Sequence, residues 1–142
     1  MFTYLHQVQF YETDLMGIVH HSNYLRYFEE ARVAWARGQG LIDCQKPFSA
    51  AHFAVLETHV QHLRPAFFGD SLEISLQAKM EGIRILFQYK IFCRIRKNEL
   101  ISSGQTKHVS LDGRLKPIKP SIRMRQILKE ILKEEPWIET WL

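Results

Sequence analysis

The sequence predicts an α+β domain in which a curled antiparallel sheet wraps around one long central helix. Three observations carry that prediction. Residues 71–80 and 85–95 alternate apolar and polar side chains with period two, the signature of strands with one face in a core. A single aromatic stripe at helical spacing lies between the first strand and those segments, and it is the best available cover for their apolar face. The chain has 142 residues, enough for one compact domain with one core.

Taken in order, Tyr4, His6, Val8 and Phe10 alternate with Thr3, Gln7 and Gln9, which predicts a first strand ending at a turn around Asp14. Tyr24, Tyr27, Phe28, Ala31 and Trp35 then recur at helical spacing, with Arg26, Glu29, Glu30 and Arg37 elsewhere on the surface. Ser22 or Asn23 is the expected N-cap, and Gly38 and Gly40 are stop signals. Leu41 to Ser49 is too mixed to assign. The period becomes two again from Phe53. A hairpin is expected from Leu72–Met80 and Ile85–Ile95 around Glu81-Gly82, and then a less regular strand from Leu100 to Leu111, ending at Asp112-Gly113. After Pro117 and Pro120, Ser121 opens a second amphipathic helix marked by Met124, Ile127, Leu128, Ile131 and Leu132, which Pro136 ends. The domain is thus expected to occupy residues 1–134, and the apolar tail 135–142 to pack on its own body or on a neighbouring subunit.

Composition narrows the function. With 46% hydrophobic and 24% charged residues the chain reads as a globular protein, not a disordered one. No apolar run approaches the roughly 20 residues that span a bilayer, and the first residues lack the pattern of a secretory signal, so a cytoplasmic protein without membrane insertion is expected. Cys44 and Cys93 suggest no disulfide framework; both are expected to be reduced, with Cys93 in the core. A net charge of +4 argues weakly for nucleic acid and suits a small polyanionic ligand. His59 and His62 have opposite parity on a strand, so they make a poor metal pair and no metal is expected.

The informative stretch is Tyr11 to Tyr24, which leads a strand into a helix through a glycine turn with one carboxylate beside it. Gly17 permits backbone angles closed to other residues. The amides around His20 and His21 would emerge from a helix N-terminus, where partial positive charge gathers. A carboxylate facing such amides could attack a carbonyl, or activate water against it, while the amides hold the oxyanion. The competing reading is an Asp-x-x-Gly turn in which Asp14 caps its own loop.

The spacing Asp14-x-x-Gly17-x-Val19-x-His21-x-x-Tyr24, followed by Tyr27, Glu29 or Glu30 and Arg32, resembles the hotdog-fold acyl-CoA thioesterases. The similarity is to the 4-hydroxybenzoyl-CoA thioesterase group and its Tol-Pal-associated relatives, and Arg64-Pro65-Ala66-Phe67-Phe68-Gly69-Asp70 supports it. The resemblance implies hydrolysis of an acyl-CoA to a free acid and coenzyme A. Asp14 would be nucleophile or general base and the backbone N–H of His21 the oxyanion donor, with Gly17 and Val19 supporting the turn. It implies substrate contacts at Tyr24 and Arg84; Lys90, Arg94 and Arg96 are further basic candidates for coenzyme A phosphates or members of a solvated face. Ile85 stands where the family often has a serine. No separate cofactor is implied, because coenzyme A belongs to the substrate. The implied partners are the acyl-CoA, or an acyl carrier protein, and further copies of the chain as a homodimer or homotetramer. A scaffold that binds acyl thioesters without turnover is the alternative. An enoyl-CoA hydratase of the same fold fits less well, since the Gly-Asp-x-Asn-Pro-x-His signature is missing.

Overall fold

The computed structural model of the protein describes residues 1–42, 52–139 and 141. Its elements run β1 (Phe2–Gln7), α1 (Ser22–Gly38), β2 (His52–His62), β3 (Ser71–Glu81), β4 (Arg84–Cys93), β5 (Glu99–Leu111), β6 (Pro117–Ile118) and α2 (Ile122–Glu134). The strands form one antiparallel sheet in the order β1-β3-β4-β5-β2, with the two residues of β6 added beside β5. Residues 43–51 and 140 and 142 lie outside the described set, and with them the expectation for Cys44; Cys93 is free and buried.

The aromatic stripe does what its spacing predicts. Tyr27, Phe28 and Ala31 are fully buried, Phe28 stacks on Tyr89 at 4.3 Å between ring centroids, and Trp35 meets Phe87 edge-on at 5.3 Å. Each such side chain contributes roughly 1.5–3 kcal/mol through removal of apolar area from water. Gly104 on β5 lets helix and sheet approach this closely: a Cβ there would stand 2.4 Å from the Phe28 ring and 2.9 Å from the His59 carbonyl.

β1 covers β3 only as far as Leu76. Beyond that point α2 packs against β3, burying Met124 and Leu128, so the exposed strand edge is covered by a helix. Ser121 caps α2, its Oγ accepting from the Met124 N–H. The tail then crosses the outer face of the sheet on its own body. Gln77 Nε2 donates to the Pro136 carbonyl at 3.1 Å, Gln88 Nε2 to the Ile138 carbonyl at 3.1 Å, and the Ile138 N–H to Gln77 Oε1 at 3.2 Å. Lys79 and Lys90 sit over the rings of Trp137 and Trp141.

Three boundaries differ from the periodicity. β1 stops at Gln7, because the Val8 N–H bonds the Asp70 carbonyl and the chain turns into a short 3-10 helix at Phe10–Glu12, leaving Phe10 exposed. β4 stops at Cys93, and Ile95 lies exposed in a second 3-10 turn, Arg94–Arg96, once the partner strand β3 has run out at Ser71. The N-cap of α1 is His21 with no side-chain cap. Ser22 Oγ pairs with His20 Nδ1 instead, and Asn23 Nδ2 donates to the Glu12 carbonyl.

Candidate active site

The segment from Thr13 to Val19 is a small closed turn. The Asp14 N–H donates to the Ile18 carbonyl and the Gly17 N–H to the Asp14 carbonyl, both at 2.9 Å. Gly17 has φ +78° with open space around it, so backbone conformation rather than crowding demands glycine. The Asp14 carboxylate accepts the Met16 N–H through Oδ1 at 2.8 Å. Capping of its own loop is therefore real, and it occupies one oxygen; Oδ2 accepts no hydrogen bond among the described residues.

Val19 is buried, its N–H bonded to the Ala66 carbonyl at 2.8 Å, which seats the turn against the Arg64–Asp70 segment. That segment is itself held by Asp70, whose buried carboxylate accepts the Phe67 N–H at 2.8 Å and Arg96 Nη1 at 2.6 Å. The His20 N–H is taken by the Glu12 carbonyl, Ser22 by His20 Nδ1, Asn23 by the His20 carbonyl and Tyr24 by the His21 carbonyl. The His21 N–H has no acceptor among the described residues. It is a free donor at the positive end of a 17-residue helix.

Asp14 and His21 border one cleft of about 560 Å³, together with Val19, Tyr24, His62 and Leu63. His62 is a residue that strand parity does not single out. It ends β2 and meets Tyr24 at 4.9 Å and His21 at 6.5 Å, both edge-to-face, while His21 lies 4.3 Å from His20. Desolvation, with His21 nearby, lowers the His62 pKa, so its ring is neutral at pH 7. A larger hollow of about 640 Å³ beside α2 is lined by Met80, Ile122, Leu128 and Leu132 with Arg125, Gln126 and Lys129. It has no carboxylate, hydroxyl or imidazole.

A profile of the thioesterase-like superfamily matches residues 8–127. The chain belongs to that superfamily. A 1,4-dihydroxy-2-naphthoyl-CoA hydrolase of Nostoc punctiforme is 31% identical over 142 residues, covering 98% of this chain and 87% of the relative. The acyl-CoA thioester hydrolase YbgC of Escherichia coli O6:H1 is 26% identical over 129 residues, 90% of each chain. The crystal structure of a 1,4-dihydroxy-2-naphthoyl-CoA thioesterase from Synechocystis superposes with a TM-score of 0.80 at 25% identity, over 92% of this chain and 96% of that one. The chain is thus a hotdog-fold member of the acyl-CoA thioesterase family, with the helix-wrapping sheet that its periodicities predict.

In this thioesterase-like chain the basic candidates separate. Arg64 borders the cleft and pairs with Glu99 at 3.3 Å. Arg96 is engaged by Asp70, Glu99 and the Pro65 carbonyl, Arg94 stands 3.9 Å from Glu73, and Lys90 covers Trp141. Arg84 opens β4, whereas the cleft lies beyond the far end of that 10-residue strand, on the order of 30 Å away at about 3.3 Å per residue. A single chain does not bring Arg84 to Asp14. Among the described residues no group of three or more His, Cys, Asp or Glu could hold a metal ion, and no helix is long and apolar enough to cross a membrane.

Proposed function

We propose that the chain hydrolyses acyl-CoA thioesters to a free acid and coenzyme A in the Asp14 cleft. One observation supports this above the rest: Asp14 and His21, whose Oδ2 and backbone N–H have no partners among the described residues, border the same apolar-walled cleft. A thioester carbonyl seated there would be polarised by the His21 N–H. Asp14 Oδ2 would then attack the carbonyl carbon or take a proton from an attacking water; the same atom serves both routes. A thiolate leaves readily, so no serine triad is required. Tyr24 and His62 form the aromatic wall beside the reacting group.

The proposed functional unit is a homodimer. The outer edge of β2 carries no strand among the described residues, is 11 residues long against six for β1, and exposes Val55 and Leu56. Two copies related by a two-fold axis at that edge pair antiparallel, which brings the Arg84 end of one sheet toward the His62 end of the other. Arg84 would then serve the partner's cleft as a coenzyme A phosphate contact.

The test is release of coenzyme A from a panel of short, long and aromatic acyl-CoAs, with one acyl carrier protein thioester included. Turnover of at least one class is expected. Binding without turnover across the panel would instead support an acyl-thioester scaffold.

A further inference from the structure

One imidazole outside the cleft joins the three segments whose register sets the distance between Asp14 and His21. His6 lies on β1. Its Nε2 is 2.8 Å from Glu12 Oε1, on the 3-10 turn two residues before Asp14, and its Nδ1 is 3.1 Å from Glu30 Oε2, on α1. The Glu12 contact is a hydrogen bond, whereas the Glu30 contact is an ion-pair approach, Glu30 Oε2 accepting no hydrogen bond among the described residues. Its ring rests on that of Tyr27, 4.4 Å away, which adds a second contact to α1.

Glu12 is the centre of this arrangement. It is buried, and a buried carboxylate persists only where its oxygens are engaged. Besides His6, Oε1 accepts the Gln9 N–H at 2.7 Å. The backbone carbonyl of the same residue accepts the His20 N–H at 2.9 Å and Asn23 Nδ2 at 2.8 Å. The side chain therefore anchors the turn to β1, while the main chain anchors it to the first turn of α1. His20 and Asn23 flank the free His21 N–H on either side.

We propose that His6, Glu12 and Glu30 form a positioning clasp that holds the Asp14 turn in register with the N-terminus of α1. The proposal rests on the reading of the Asp14 cleft given above. None of the three touches the reacting atoms. They act through geometry, where a displacement of about 1 Å between nucleophile and oxyanion donor is enough to lower turnover ~100-fold.

Glu12→Leu and Glu12→Gln separate positioning from bulk stability. The leucine variant removes the acceptor and is expected to lower kcat at least 10-fold with KM within twofold, because the cleft walls from Tyr24 to His62 are untouched. Glutamine keeps an acceptor oxygen and is expected to restore kcat to within threefold of the parent chain. Amide exchange gives a readout independent of turnover: the His20 N–H should exchange faster in Glu12→Leu, with β3 to β5 unchanged. Unchanged exchange at His20, or kcat within twofold of the parent chain in Glu12→Leu, would overturn the clasp. Should Glu12→Leu fail to fold, His6→Gln carries the same comparison. If Asp14→Asn proved fully active, the thioesterase reading would fail while exchange at His20 still decided the clasp.

Discussion

The two ends of α1 are built from similar residues and do opposite things. At its N-terminus stand Asp14, His21, Tyr24 and His62; toward its C-terminus stand Arg32, Tyr89, Thr106 and His108. In the second group the polar atoms engage one another. Arg32 Nη1 donates to the Tyr89 hydroxyl at 3.1 Å, that hydroxyl bonds Thr106 Oγ1 at 2.7 Å, and His108 Nε2 bonds the same Oγ1 at 2.8 Å. Tyr89 and His108 are almost wholly buried, as fits a network that stiffens a core. In the first group Asp14 Oδ2 and the His21 N–H have no partner among the described residues, and Phe10, Tyr11, Leu15 and Met16 stand exposed around them. A histidine, a tyrosine and a charged group do not by themselves make a site. Hydrogen-bonding capacity left over at an open cleft with an exposed apolar rim is what distinguishes the proposed site from the closed end.

The comparison is broken most sharply at Asp14. Asp14→Asn keeps the shape of the turn but lacks a carboxylate base or nucleophile, so kcat should fall on the order of 10²–10⁴-fold while circular dichroism and the melting temperature hold. Steady-state kinetics within threefold of the parent chain would remove Asp14 from the site.

The closed end should answer to acid instead. Burial, with the Arg32 guanidinium nearby, pushes the His108 pKa down from 6.5 to about 4. The unfolded chain then binds a proton below pH 6.5 that the folded chain refuses until about pH 4, so stability is full above that window and falls as pH drops through it. The loss is on the order of 3 kcal/mol at most. Urea midpoints between pH 7 and pH 4 should show it, and a His108→Gln variant should flatten that slope; an unaltered slope would contradict the assignment.

Gly104→Ala sharpens the same contrast by crowding the closed end alone. Its Cβ meets the Phe28 ring and the His59 carbonyl, neither free to withdraw, so a loss of about 1–3 kcal/mol is expected in the denaturation midpoint. Chemistry at Asp14 should persist in whatever fraction remains folded.

These contrasts also divide what the sequence discloses from what it does not. The stripe Tyr24–Trp35 and the alternation on β3 and β4 were legible because each reports a local period, and burial of one face follows from it directly. The Asp14 turn was legible because Gly17 marks the position within it where φ is positive. Val8 and Phe10 keep the parity of β1 although the strand has ended, because its end is set by the Asp70 turn of another segment, which periodicity does not register. Parity correctly separates His59 from His62, yet it says nothing of the α1 N-terminus that meets the end of β2 from about 40 residues away. The clasp at His6 was hidden for the same reason: its two carboxylates come from a turn and a helix, at no shared spacing.

The smallest effect is expected at Arg84. If it serves a partner's cleft, Arg84→Ala should raise KM a few-fold with little change in kcat, since a phosphate contact far from the thioester stabilises ground and transition states alike. The difference should shrink in high salt. Kinetics equal to the parent chain at low ionic strength would return Arg84 to the solvated surface, and light scattering that found only a 16.8 kDa monomer at micromolar concentration would contradict the shared site.

The most direct measurement of the central claim is a titration of the isotopically labelled protein with a non-hydrolysable thioether analogue of an acyl-CoA, followed through backbone amide shifts. The largest changes are predicted at His21 and its neighbours from Asp14 to Tyr24 and at His62 and Leu63, with Tyr89, Thr106 and His108 little affected. Saturable shifts centred on the α2 hollow, at Ile122 to Lys129, or on the Tyr89–His108 end, with His21 unmoved, would contradict it.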